Sequence, residues 1–246
     1  MPSPSPAGWW VWSSTTFDGG DVETQPLEPD LLGLSAVALL IATFGVVLRR
    51  SLAGWVSAYR YQSLVLAVAA GVVGYSTGLL DIYVAAVLTL VVKVVVIPRL
   101  LVRLTSGLEG GLKVEANPYV SVRASLVASA LLVALSYWVV QGTLGLRGLG
   151  HVAGAYLPVS VSLFFIGLLV MVSRRTALNQ VVGLLVIENG LFLFTVSLTG
   201  GVSLAIEAGI LADALVGVVI AASLLARMTR TFDTLDMTSL ERLKDD

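Results

Sequence analysis

Apolar residues in this chain gather into seven long runs, and the short stretches between them hold most of the charged side chains. The runs cover about Leu31–Leu48, Tyr61–Thr77, Leu80–Leu101, Val120–Val140, Leu157–Val172, Ala177–Leu198 and Ala205–Met228. Each is close to the roughly 20 apolar residues that a helix needs to cross a hydrocarbon core about 30 Å thick. In such a medium every backbone N–H and C=O must be paired internally, and a helix does this within itself. The pattern predicts an all-α, polytopic membrane protein with about seven transmembrane helices.

Composition strengthens this and narrows the chemistry. Hydrophobic residues make up 57% of the 246, charged residues 13%, and the mean hydropathy is +0.91. Soluble domains are usually about half apolar and a quarter charged. Little of the chain is left for a separate soluble domain. There is no cysteine, and His151 is the one histidine. Iron–sulfur clusters, cysteine-based zinc sites and disulfides are excluded, and haem is disfavoured. No redox or hydrolytic site is expected on this chain, and it is read as a non-catalytic subunit. His151, in the loop 141–156, reads as solvated. The net charge of −1 gives no sign of nucleic-acid binding; in a membrane protein the placement of Lys and Arg is what matters.

That placement predicts orientation. With the N-terminus outside and the C-terminus inside, every Lys and Arg except Lys93 and Arg147 falls on the inner side. One segment more or fewer would break this alternation, which supports the count of seven. Four parts follow: an irregular outer extension (1–30), a four-helix part (31–156), a three-helix part (157–230) and a cytoplasmic tail (231–246). The extension is Pro- and Ser-rich, then acidic, and has no Lys or Arg, so the positive region of a signal peptide is missing. Trp9, Trp10 and Trp12 suit the headgroup level or a partner subunit.

Three of the runs carry an ionisable residue near their middle: Lys93, Glu188 and Asp213. Each costs roughly 2.5–3.5 kcal/mol on insertion scales, and a pure anchor would carry Leu or Val there. Helical rise places them about 18, 15 and 12 Å from the outer surface, so all three lie near the midplane. In the third run Asp81, Ala85, Thr89 and Lys93 form a four-residue stripe. In the sixth, Gln180, Leu184 and Glu188 align, with Asn189 beside the Glu. In the seventh, Gly209, Asp213, Gly217 and Ala221 form a small-residue face suited to close helix packing. Ala70, Gly74 and Gly78 read as packing alone. Two readings stand for the midplane trio: a proton or cation path, or a structural buried ion pair. Glu207 and Asp81 are further pathway candidates; Glu207 equally fits a water-facing helix end, and Asp81 fits a solvated helix end better than a relay.

Particular strings carry a family resemblance. SLFFIGLLVMVSRR, NQVVGLLVIENGLFLF and GILADALVGVVIAASLLARM resemble subunit K of complex I and its relatives in multisubunit Na⁺/H⁺ antiporters. Arg174 and Arg175 match that family's basic pair, Glu188 its second-helix Glu, and Asp213 with Gly217 its third-helix acid and glycine. Asp stands where Glu is usual, and the spacing from the basic pair to Glu188 is about a turn longer. LTLVVKVVVIPRLL, EANPYVSVRASL and FDTLDMTSLERLKDD extend the resemblance over about residues 31–246 to component E of hydrogenase-4, a membrane subunit of formate hydrogenlyase-type and other group 4 [NiFe]-hydrogenase complexes.

The resemblance implies a multi-pass subunit in a prokaryotic cytoplasmic (inner) membrane. It implies antiporter-like membrane partners, and cytoplasmic hydrogenase-like and iron–sulfur subunits that hold the [NiFe] site and the clusters. Surrounding lipids complete the list of partners. Glu188 and Asp213 would exchange protons, with Lys93 tuning them, since a nearby cation favours the ionised carboxylate and desolvation the neutral one. Alternatives are a structural bridging subunit and a subunit of a Na⁺/H⁺ antiporter without redox partners. A retinal-type protein fits the helix count, but its lysine would be expected in the last helix.

Overall fold

The computed structural model describes residues 29–105, 119–144, 150–174 and 177–199, together with 215–220 and the single positions 209, 212 and 223. Six membrane-length helices occupy them: α1 (Pro29–Leu48), α2 (Leu52–Thr77), α3 (residues 80–105), α4 (Val122–Leu144), α5 (His151–Ser173) and α6 (Ala177–Thr199). All six are long and apolar enough to span a bilayer, and no strand occurs among the described residues. The chain is a multi-pass, all-helical membrane protein. Of the expected seventh helix, residues 215–220 are helical, and Val218 packs on Tyr59, Leu101 and Leu185. The extension 1–28 and the tail after residue 223 lie outside the described residues.

Two boundaries differ from expectation. Helix α2 begins at Leu52, nine residues before Tyr61, because Ser51 caps it by accepting a hydrogen bond from the Gly54 N–H. At 26 residues it is about 39 Å long, longer than the hydrocarbon core. Helix α5 begins at His151, which therefore stands in its first turn rather than in a loop. The tight α2–α3 connection turns on Gly78, whose φ of 65° closes α2 by an N–H···O bond to Gly74.

Helix α3 is not uniform. Residues Leu80–Thr89 and Ile97–Thr105 are α-helical, and Leu90–Val96 between them is a π-helical segment. The sequence shows why. Ala85, Thr89, Lys93, Ile97 and Leu101 are all buried, every fourth residue. In a regular α-helix a four-residue step advances about 40° past one turn, so this stripe would wind off the buried face. The wider π turn winds it back, and the Ile97 N–H bonds to the carbonyl five residues earlier, at Val92. Pro98, which has no N–H and would crowd a carbonyl four residues back, favours the same widening.

Helix α2 contacts α1, α3 and α6, and the most extensive pairing is α5 with α6. That pairing rests on glycines. A Cβ at Gly167 would lie 2.6 Å from Ile187 Cγ1 and 2.8 Å from the Gly183 carbonyl oxygen. One at Gly190 would lie 2.9 Å from the Phe164 nitrogen and from the Ser160 carbonyl oxygen. The backbones touch because side chains are missing, as close membrane packing requires. At Gly74 a Cβ would meet the Tyr83 ring at 3.4 Å, which agrees with the packing role read for that face. By contrast, a Cβ at Gly209 or Gly217 would meet nothing within 4 Å. Among the described residues, these two glycines do not make the close contact expected from the small-residue face of the last segment.

The helix ends sort by charge. Arg174 is buried and donates from Nη2 to the Val47 carbonyl at 3.0 Å, joining the C-terminal ends of α5 and α1. The Val120 N–H donates to the Ser173 carbonyl at 3.4 Å, adding the N-terminal end of α4. Arg49, Arg50, Arg60, Arg99, Arg103 and Arg123 belong to the same end of the bundle, while Asp30 and Asp81 open α1 and α3 at the other.

Candidate functional site: a buried polar chain around Lys93

Lys93 lies in the middle of the π segment and is 0% exposed. Its Nζ sits 2.9 Å from Glu188 Oε1 and 3.0 Å from Asn189 Oδ1, both on α6, and 5.4 Å from the centroid of the Phe192 ring. One carboxylate, one amide and one aromatic face thus surround the ammonium. This is the satisfaction that a charge held away from water requires. Glu188 and Asn189 can both reach it because they are adjacent on α6 and Lys93 approaches between them.

The chain of polar groups continues across the bundle. Asn189 Nδ2 donates to Ser63 Oγ at 3.3 Å and to Gln62 Oε1 at 3.4 Å, on α2. Gln62 Nε2 donates to Thr43 Oγ1 at 2.7 Å, on α1, and Thr43 donates to the Leu39 carbonyl at 2.7 Å. Four helices therefore contribute to one connected row: Glu188, Lys93, Asn189, Gln62 and Thr43. The row crosses α2, α3 and α6 near their middles and reaches α1 toward its C-terminal end at Thr43, and it is buried except at Glu188, whose side chain is 11% exposed. The Tyr59 hydroxyl is buried nearby, with Ser63 and Glu188 as its polar neighbours. On the buried stripe of α3, the Thr89 hydroxyl has no hydrogen-bond partner among the described residues.

Of the residues singled out in the sequence, Lys93 and Glu188 meet. Asp81 does not join them: it is exposed in the first turn of α3, where an acid suits the helix N-terminus. Gln180 and Leu184 are also exposed, so the stripe they form with Glu188 lies at the rim of the described bundle. Asp213 and Glu207 lie outside the described residues. Gln62, Ser63, Thr43 and Phe192 were not anticipated. Starting α2 at Tyr61 had put Gln62 at the membrane surface, where a polar residue needs no explanation. A mid-helix Gln and Thr were the available signal. No group of His, Asp or Glu among the described residues is arranged to hold a metal ion.

Comparison with known proteins bears on the same region. Residues 155–245 match the family described as NADH-ubiquinone/plastoquinone oxidoreductase chain 4L. The chain is 29% identical over 215 residues to the uncharacterized protein Rv0085 of Mycobacterium tuberculosis, covering 87% of this chain and 96% of that one. It is 36% identical over 88 residues to hydrogenase-4 component E of Escherichia coli K12, covering 36% of this chain and 41% of that protein. The Shigella flexneri component E gives the same figures. The matched stretch is less than half the length of the component E proteins. No solved structure matches the chain. Most of α5 and all of α6, with Glu188 and Asn189, lie within the matched 155–245, whereas Lys93 and Gln62 lie before it. Over residues 155–245 the chain is therefore similar to complex I chain 4L, and over 88 residues to hydrogenase-4 component E, within a multi-pass helical membrane protein.

Proposed function

We propose that this chain is a membrane subunit of a complex I-like, group 4 hydrogenase-related assembly and contributes buried charges to a midplane path for protons or cations. The observation that carries the reading is the buried Lys93–Glu188 pair at 2.9 Å, continued by Asn189, Gln62 and Thr43 across the bundle. A charged pair at this depth is costly and marks ion pathways in membrane proteins. Glu188, at the rim, is the group through which a proton would enter or leave the row. Asp213 joins the proposal on its matched depth and its place in the family pattern; Glu207 and Asp81 remain weaker candidates. The [NiFe] site and iron–sulfur clusters would lie on cytoplasmic partners, with antiporter-like subunits beside this one in a prokaryotic inner membrane.

The test is ion translocation per electron in the assembled, reconstituted complex. Glu188→Gln keeps size and an acceptor for Lys93 but removes the exchangeable proton. Combined with Asp213→Asn, it is expected to lower translocation per electron in the complex that assembles, whose amount the lost countercharge of Lys93 reduces less than Glu188→Leu does because Gln keeps an acceptor. Normal pumping in this double variant would remove the relay role. A second reading, a structural bridge, is favoured by the full satisfaction of Lys93 by three partners. It predicts instead that only assembly responds.

Orientation is tested separately. The chain has no cysteine of its own, so single cysteines report cleanly. Ser121→Cys, at the arginine-rich end, is expected to label from the cytoplasm, and Gly150→Cys, at the N-terminal cap of α5, from outside. The opposite pattern would invert the topology.

A further inference from the structure

A cleft of about 430 Å³ opens between α2 and α3 on the side of the π segment away from Lys93's partners. Its walls are apolar, with Val56 from α2 and Val95 and Pro98 from α3. Arg60, Arg99 and Arg103 line it as well. Helical rise places Arg60 about 12 Å from the start of α2 and Arg99 about 9 Å from the end of α3. Because α2 exceeds the hydrocarbon thickness, this is the depth at which long cationic side chains reach toward the headgroups. Among the described residues, no carboxylate lies on the cleft wall beside Arg60 and Arg99.

An apolar cleft with Arg60 on its α2 wall and Arg99 on its α3 wall matches one occupant in charge and polarity. We propose that the cleft binds an anionic phospholipid of the phosphatidylglycerol type, its phosphate held by Arg60 and Arg99 and an acyl chain laid against Val95 and Pro98. Guanidiniums suit phosphate because they donate two parallel hydrogen bonds. Basic pockets between transmembrane helices at the cytoplasmic side bind acidic headgroups for this reason. A zwitterionic lipid offers the same phosphate but brings its own cation into a site already positive. The lipid would also fill the space behind the π segment and so support the turn that carries Lys93. The inference needs only that the chain spans a membrane, and stands whether or not the polar row conducts.

The experiment is native mass spectrometry of the full chain in mild detergent, titrated with phosphatidylglycerol or phosphatidylcholine. Selective retention of phosphatidylglycerol is expected. Arg60→Gln with Arg99→Gln should weaken it by about thirtyfold, roughly fivefold for each charge removed near the surface. The control Arg50→Gln with Arg123→Gln removes the same charge from the same end, outside the cleft, and should weaken it no more than about twofold. Arg60→Lys with Arg99→Lys should retain most of the lipid. Val95→Trp, which fills the slot and leaves every charge, should abolish retention; it reports on the site even if the Gln variant folds poorly. Equal retention of the two lipids, an equal loss in the control pair, or full retention in Val95→Trp would each overturn the proposal. Displacement by millimolar inorganic phosphate would also overturn it, by showing an anion site with no lipid specificity.

Discussion

Glu188→Leu is expected to cost about 3–5 kcal/mol and to remove most of the folded subunit from the membrane. It leaves the Lys93 ammonium at 0% exposure with only Asn189 and the Phe192 ring as partners, and neither carries a countercharge. Lys93→Met should be milder. The carboxyl it strands is 11% exposed and keeps some contact with its surroundings, whereas the ammonium left by Glu188→Leu is sealed in the bundle. Lys93→Met combined with Glu188→Leu removes both charges and should recover most of the loss, since a buried pair replaced by apolar groups is often neutral. Folded yield and thermal midpoint in detergent, measured for the singles and the double, form the cycle. If the double is as unstable as the sum of the singles, the two residues are not coupled and the 2.9 Å contact does not hold the bundle.

Gly167→Ala and Gly183→Ala should each lower stability by about 1–3 kcal/mol, although each adds one methyl group. At Gly167 the new Cβ would meet the Ile187 nitrogen and the Gly183 carbonyl oxygen at 2.8 Å; at Gly183 it would meet the Gly167 carbonyl oxygen at 2.8 Å. These are backbone atoms of the facing helix, so no rotamer change relieves them, and α5 and α6 must move apart. Gly45→Ala and Gly71→Ala, where a Cβ meets nothing within 4 Å, are the controls. They should be neutral or stabilising, because Ala gains up to about 1 kcal/mol over Gly inside a helix. A thermal series that failed to separate the two groups would refute the glycine-mediated contact. The effect should reach the polar row, since α6 carries Glu188 and Asn189 within one turn of Ile187.

Hydropathy alone determined the class of this protein, the antiparallel alternation and six spans to within a few residues at most ends. This was possible because the bilayer demands long apolar helices and leaves charge to the ends. The four-residue stripe through Ala85, Thr89 and Lys93 was equally legible. What it requires, a π turn ahead of Pro98, emerged only when the buried positions were seen to continue through Ile97 and Leu101. The sequence marks Lys93 and Glu188 as unusual because any ion at midplane is unusual. It cannot say that they touch, since residues 95 positions apart meet only through the packing of α3 on its neighbours. Gln62, Ser63 and Thr43 escaped notice because uncharged polar residues in apolar runs are common; their meaning is the partner, and the partner is on another helix. The same holds in reverse for Gln180 and Asp81, which share a sequence register with the site but face away from it. Periodicity assigns residues to a face of one helix. Only the packing of helices against one another decides which faces meet.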